Sequence, residues 1–415
     1  MEISDPKLNK LDKRVGEFYK LAARYLNHLS NTYGRKIYKN ELSIILKEAN
    51  NIRPKSEFDK LILRNIQSNL RLNDLTIDYF SDPKFPLSVK EFFDKMAGKG
   101  AWSHLETILK SPPWKEIWEY GELIQERNYS QVNRFTEEAQ KAAKSWLPKI
   151  KDNILKHGKA EGYLPDDFDM VVLLLPPKDE GECSYWNSKT KNFCLGSYGF
   201  EFYLKNKDII AKPAQAYKAA FHEVLGHAAN QVNSEQLPYS IKFTEEIGHI
   251  TPTKSVTEGI AINNEKLSFN FLKNNLENLK LAETDIQLLE KETDLADFEK
   301  YASLFYHLIK DRELREEGFN GYEYLLKLTQ NPITARNFKN RFKGEFSDAW
   351  RNIGHTLGPL HYKQMLDRVE QEFGKNYLEK NKSLFNKCAL RGVWSWEVYP
   401  DAVAYFLREE SKQKS

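Results

Sequence analysis

The feature that most constrains this chain is a spacing. In Phe221-His-Glu-Val-Leu-Gly-His-Ala-Ala-Asn230 two histidines, His222 and His227, stand five residues apart, and Glu223 follows the first. Two imidazoles and a carboxylate on one helix are the parts of a zinc hydrolase, whose familiar motif sets its histidines at i and i+4 on one face. At i and i+5 a regular α-helix turns the second ring about 140° away from the first. Both rings meet one ion only if the helix absorbs an extra residue, as a π-bulge does. The spacing therefore predicts a distorted turn at about Gly226, where a permissive backbone suits it.

Zinc in a hydrolase takes three protein ligands and keeps one position open. The best third candidate is Glu258, in Ser255-Val-Thr-Glu-Gly-Ile-Ala-Ile-Asn-Asn-Glu265, 31 positions after His227. Ser255 reads as a helix cap with Glu258 in the first turn. Gly259 would let that helix approach another backbone closely. Glu265 lies two turns on, on the same face, placed to accept a hydrogen bond from a ligand imidazole. His249, Glu245 and Glu246 remain alternatives for the third ligand. Glu223 falls beside the metal and not on it, where a general base takes a proton from the attacking water and passes it to the leaving amine. The plain alternative is an exposed glutamate beside two unconnected histidines. With 9 His in 415 residues, that coincidence is disfavoured.

The remainder reads as helical scaffold. Apolar residues recur at helical spacing over 7–33, 40–50, 56–72, 88–97, 101–110, 114–127 and 130–157, with Asp5-Pro6, Asn40 and Ser56 as starts. Met170–Leu175 reads as a buried strand, and 182–187 with 192–196 as a hairpin. Cys183 and Cys194 sit near opposite ends of that hairpin, and two small thiols are favoured over a bridge. Helices resume at 213–232, 255–277, 283–311, 321–329, 346–372 and 396–412. The expected fold class is mainly α (α+β): a large helical protein with a small antiparallel β-sheet next to the metal-binding helix and a cleft between helical lobes. The expected organisation is an N-terminal helical domain over 1–150, as cap or cleft wall, and a catalytic domain over 151–415.

Composition excludes some partners. Sixty-two basic against 59 acidic residues leave a net charge of +3, which gives no electrostatic case for nucleic acid. Three cysteines argue against a disulfide scaffold. The first residues lack the basic start and apolar core of a signal peptide, and no apolar run reaches membrane-spanning length. The expectation is a cytoplasmic protein with no membrane partner.

Two families share these motifs. His222-Glu-Val-Leu-Gly-His227 resembles the His-Glu-x-x-Gly-His motif of dipeptidyl peptidase III, which carries the same single insertion. Glu258-Gly-Ile-Ala-Ile-Asn-Asn-Glu265 resembles the Glu-Gly-Trp-Ala-Leu-Tyr-x-Glu stretch of the DUF885 family of bacterial metallopeptidases. Both are gluzincins, and the resemblance spans about residues 180–370. It implies one Zn2+ per chain on His222, His227 and Glu258, with Glu223 as catalytic base. The second motif of dipeptidyl peptidase III and the Pro-Gly-His-His form of the DUF885 helix are absent. Ile353-Gly-His-Thr-Leu-Gly-Pro-Leu-His-Tyr362 is similar to the C-terminal segment of DUF885-like and thimet-oligopeptidase-like enzymes, which implies substrate-facing roles for His355 and Tyr362. These two are seven apart, two helical turns, and could both face the metal as oxyanion donors. His361 would point elsewhere. For Arg391, Tyr399 and Tyr405, packing is favoured over a substrate role.

The expected function is a zinc-dependent peptidase acting on short peptides. A zinc hydrolase of a non-peptide amide or ester is one alternative, and a non-catalytic scaffold with a structural zinc is another.

Overall fold

The computed structural model describes residues 1–26, 32–110, 136–175, 183–205, 207–242, 251–330 and 353–414. The expected helix 114–127, the start of the one at 346, and Glu245, Glu246 and His249 lie outside these residues.

The chain opens with α1 (Pro6–Leu26), α2 (Thr32–Asn50), α3 (Glu57–Ser81), α4 (Val89–Ala97) and α5 (Ala101–Lys110). Asp5 caps α1 by accepting from the amides of Lys7 and Leu8 at 2.9 and 3.1 Å, and proline follows it where no N–H is needed. Ser56 caps α3 through the Asp59 amide. Asn40 is not a cap, since α2 runs through it without a break. The single helix expected over 130–157 is two, α6 (Glu137–Lys144) and α7 (Leu147–Ala160). Pro148, with no amide to donate, sits in the first turn of α7 and marks the restart.

Strands follow: β1 (Val171–Leu174), β2 (Tyr185–Asn187), β3 (Asn192–Leu195), β4 (Glu201–Lys205) and β5 (Asp208–Lys212). The β2–β3 hairpin is antiparallel as expected, but β1 lies parallel to β3, in the order β1-β3-β2. The sheet is therefore mixed. Residues 175–191, which include β2, separate β1 from β3 in sequence, and β1 lies on the side of β3 away from β2, running in β3's own direction. The β4–β5 hairpin was not expected from the sequence. Its turn holds Lys207 at φ 73°, the left-handed conformation that such a tight reversal requires. Cys183 and Cys194 are free thiols, and Cys194 faces Tyr185 across the hairpin.

After the sheet come α8 (Ala214–His222), a π-helical turn (Glu223–Ala228), α9 (Ala229–Ser234), α10 (Thr251–Lys273), α11 (Leu276–Leu279), α12 (Glu283–Arg315) and α13 (Gly321–Thr329). The chain closes with α14 (Ile353–Phe373), α15 (Tyr377–Lys380), α16 (Lys382–Ala389) and α17 (Tyr399–Lys414). No described helix is long and apolar enough to cross a membrane.

The larger core gathers α1–α3, the inner sheet face, α8, α10 and α17 around buried Phe193, Tyr217, Phe221 and Trp394. The smaller one gathers the end of α3, α4, α5, α12 and α13 around Tyr79, Phe92, Trp102 and Phe305. Residues from both sides of position 150 contribute to each. Burying each such ring stabilises the fold by roughly 1.5–3 kcal/mol, and this packing sets the helices that carry the site.

Candidate metal centre

The predicted distortion is present. Residues Glu223–Ala228 form one π-helical turn between α8 and α9. The extra residue brings His222 and His227 to one side, with ring centroids 5.1 Å apart. Gly226 has no left-handed backbone to accommodate. Its reason is contact: a Cβ there would stand 2.7 Å from the Cα of Ala261 on α10. The π turn thus lies against the helix that carries Glu258. Inside the turn, the buried Leu225 carbonyl accepts from Asn264 Nδ2 of α10 at 2.8 Å, so the altered register leaves that group satisfied.

Glu258 meets both rings. One ligand atom from each of His222, His227 and Glu258 lies within 4.8 Å of the others. Glu258 Oε2 is 3.5 Å from His222 Nε2 and 3.9 Å from His227 Nε2. It is buried, and no hydrogen bond reaches it. A buried carboxylate oxygen facing ring nitrogens without a hydrogen bond is costly as it stands. A cation shared by the three groups relieves that cost, and the donor set suits Zn2+. On this observation the residues fit the ion the sequence implies.

Ser255 does not cap α10, which begins at Thr251. Its hydroxyl instead meets His361 Nδ1 at 2.8 Å. Gly259 does permit a close approach, as expected. A Cβ on it would fall 2.3 Å from the Gly358 carbonyl oxygen of α14. That glycine-to-glycine crossing brings the start of α14 to the site, where His355 Nδ1 stands 3.1 Å from Glu258 Oε2. The His355 ring lies 6.2 Å from that of His222, at 25° to it.

Behind the ligands, Glu265 Oε2 is 3.2 Å from His222 Nδ1. Its other oxygen pairs with Lys218 at 2.9 Å, and Lys218 also donates to Thr293 Oγ1 at 2.9 Å. This chain orients the His222 ring with Nε2 toward Glu258. Sequence spacing found Glu265; Lys218, one turn before His222 on α8, was not singled out, because its pairing with Glu265 depends on how α8 packs on α10.

Glu223 Oε2 accepts from the Trp186 amide of β2 at 2.9 Å. The Trp186 indole donates to Gln231 Oε1 at 2.7 Å, which ties β2 to the helix beyond the π turn. A cavity of about 560 Å³ opens beside this carboxylate, with His222, Glu223, Glu265, Lys218 and Lys300 on its wall.

The electrostatics follow from burial against mutual charge. Burial alone would raise the Glu258 carboxyl, but the imidazoles of His222, His227 and His355 outweigh it and hold the group well below the usual carboxylate range. Burial alone would lower His222, and Glu258, Glu265 and Glu223 reverse that and push it up. Glu265 is likewise held down by His222 and Lys218 against the effect of burial. Glu258 and Glu265 therefore favour positive charge at the His222 ring. His355 differs: burial pushes it down to about 4, only partly opposed by Glu258, so its ring is neutral at pH 7.

Other expected positions fall elsewhere. Tyr362 accepts from Asn263 Nδ2 at 3.3 Å and packs against the larger core. His361 is buried away from the ligands, stacked on Trp396 at 5.0 Å. Arg391 pairs with Glu410 at 2.8 Å, and Tyr399 donates to the Ala389 carbonyl. Tyr405 stacks on Phe58. These three are packing residues, as the sequence favoured.

The chain matches no protein-family model and no curated protein. Among solved structures, one from Colwellia psychrerythraea, provisionally described as a lipoprotein, is similar with a TM-score of 0.43 at 13% identity, over 94% of this chain and 69% of that one.

Proposed function

We propose that the protein is a gluzincin-type zinc peptidase acting on short peptides. The observation that carries this reading is the convergence of His222, His227 and Glu258 on a buried oxygen that lacks a hydrogen bond, beside a cavity. A purely structural zinc needs no adjacent cavity and no neighbouring base. Here the cavity wall holds both a ligand imidazole and Glu223.

A bound Zn2+ supplies Lewis acidity, polarising a carbonyl and making water more acidic. His222, His227 and Glu258 hold it, and Glu265 keeps the His222 ring aimed. Glu223 takes the proton from the attacking water and delivers it to the departing nitrogen. Water adds across the C–N bond, with oxygen to the acyl carbon and hydrogen to the amine. His355 faces Glu258 Oε2 with Nδ1 at 3.1 Å, so it would donate to the developing oxyanion from Nε2 only when its ring carries both protons. Strand β2, whose Trp186 amide already reaches Glu223, lies at the sheet edge, where an extended peptide can pair.

The test is a comparison of wild type and Glu223→Gln after zinc loading, by metal analysis and by mass spectrometry of a digested peptide library. Zinc in both and cleavage only by wild type is expected. Equal cleavage by both, or chelator-insensitive cleavage, removes the mechanism. Zinc retained with no peptide cut, but an ester or non-peptide amide hydrolysed, transfers the same residues to another substrate class.

A further inference from the structure

We propose that the cavity beside the metal centre is a carboxylate subsite in which Lys300 receives a carboxylate of the substrate, a specificity that rests on the peptidase reading above. The argument is a charge account of the cavity wall. Glu223 and Glu265 line it together with Lys218 and Lys300. Glu223 is engaged by the Trp186 amide. Glu265 is engaged on both oxygens, by Lys218 at 2.9 Å and by His222 at 3.2 Å. Lys218 is in turn neutralised by Glu265 and donates to Thr293.

Lys300 is different. Its partner Asp297 lies 3.4 Å away, and the other oxygen of Asp297 is 3.4 Å from Lys266. Two ammonium groups share one carboxylate at a distance beyond a good hydrogen bond. Lys300 therefore brings only partly compensated positive charge to the wall, with its side chain 41% exposed.

A substrate α-ammonium would face Lys300, and of the wall carboxylates Glu265 is already paired with Lys218 while Glu223 keeps its charge beside the neutral Trp186 amide. A carboxylate gains a charge-assisted contact at Lys300. The terminal residue of a peptide presents such a carboxylate. The volume, about 560 Å³, is that of a small-ligand pocket and not of a protein-binding groove. An acidic side chain offers the same carboxylate chemistry, and the assay separates the two sources.

The experiment uses the full-length, zinc-loaded protein and one neutral peptide in three forms: free acid, C-terminal amide, and amide with one internal glutamate. Amidation should lower kcat/KM by about 10- to 100-fold, the loss of one charge-assisted contact. Rescue by the internal glutamate assigns the subsite to acidic side chains, and no rescue assigns it to the C-terminus. Lys300→Met should bring the acid-to-amide ratio close to one, and Lys300→Arg should keep it well above one. Equal cleavage of all three forms by wild type, or a preference that survives Lys300→Met, overturns the proposal. Calorimetry with Glu223→Gln reads the subsite without turnover. Tighter binding of the acid than the amide by this variant, with neither peptide hydrolysed by the zinc-loaded wild type, would keep the subsite and remove the peptidase reading.

Discussion

Gly226 and Ala261 touch so closely that a methyl group on the glycine would lie 2.7 Å from the Ala261 Cα. Through this contact the π turn bearing His227 rests on the helix bearing Glu258, and the distance between the ligands depends on it. Gly226→Ala should therefore force the two helices apart. The expected cost is about 1–3 kcal/mol of stability, with a larger proportional loss of bound zinc. Denaturant unfolding and metal analysis on the same preparation check both. Full zinc occupancy in this variant would mean that the contact does not govern the site.

Glu265 acts on the metal through His222. Glu265→Ala should lower zinc affinity by about 10- to 100-fold, the usual loss when a ligand imidazole loses its orienting carboxylate. Competition with a chromophoric chelator measures it. An unchanged affinity would remove Glu265 from the centre.

Asn264 serves the backbone of the π turn by donating to the Leu225 carbonyl. Asn264→Leu leaves that buried carbonyl without its partner and should destabilise the protein by about 1–3 kcal/mol. Amide exchange within 223–228 should accelerate more than in α1 or α3. A uniform change across the chain would show a global effect instead.

On the zinc reading the ion would join segments from two separate helices, so loading it should raise the melting temperature. At free zinc about 100 times its dissociation constant, the gain is about 2.7 kcal/mol. Differential scanning calorimetry with and without a chelator reads it. Glu258→Ala should abolish the zinc-dependent shift, and a full shift in that variant would place the third ligand elsewhere.

His361 sets a pH limit unrelated to the metal. Its Nε2–H donates to the Ala97 carbonyl at 2.8 Å, so Nδ1 is left to accept from Ser255 at the same distance. Burial pushes the ring down to about 4 from its usual 6.5, and the bond to Ala97 opposes this only in part. Above pH 6.5 the ring is neutral in both folded and unfolded chains. As pH falls toward 4 the unfolded chain takes up a proton that the folded ring refuses, so stability is lost across that window, by about 3 kcal/mol at most. Urea midpoints at pH 7.5 and 5.0 should differ more in wild type than in His361→Gln. Equal pH dependence in both would assign the effect to other groups.

How much was legible in the sequence varies by element. Helices with one apolar stripe and a clear cap, such as α3 behind Ser56 or α4 behind Ser88, were readable because their periodicity is local. The β4–β5 hairpin was not. In β4 only Phe202 turns inward, while Tyr203 and Leu204 are exposed, so the apolar alternation that marks a half-buried strand is missing. The parallel placement of β1 was hidden for another reason: strand direction depends on where the chain crosses, which no residue in the strand encodes. Tyr362 lay two turns from His355, yet α14 places it in the larger core, because which side of a helix faces a site depends on its neighbours.

The sequence by itself determined the π turn. Backbone twist per residue is a local quantity, so two histidines five apart share a target only if the helix takes in one extra residue. The candidate base, Glu223, and the two imidazoles lie within the same few positions. Tertiary structure alone decided that Glu258 meets those rings, that His355 arrives beside it, and that Lys218 and Lys300 face the cavity. Those placements rest on contacts such as Gly226 with Ala261 and Gly259 with Gly358, 35 and 99 positions apart. Close packing between distant segments exists only once the whole chain has folded, and no local pattern carries it.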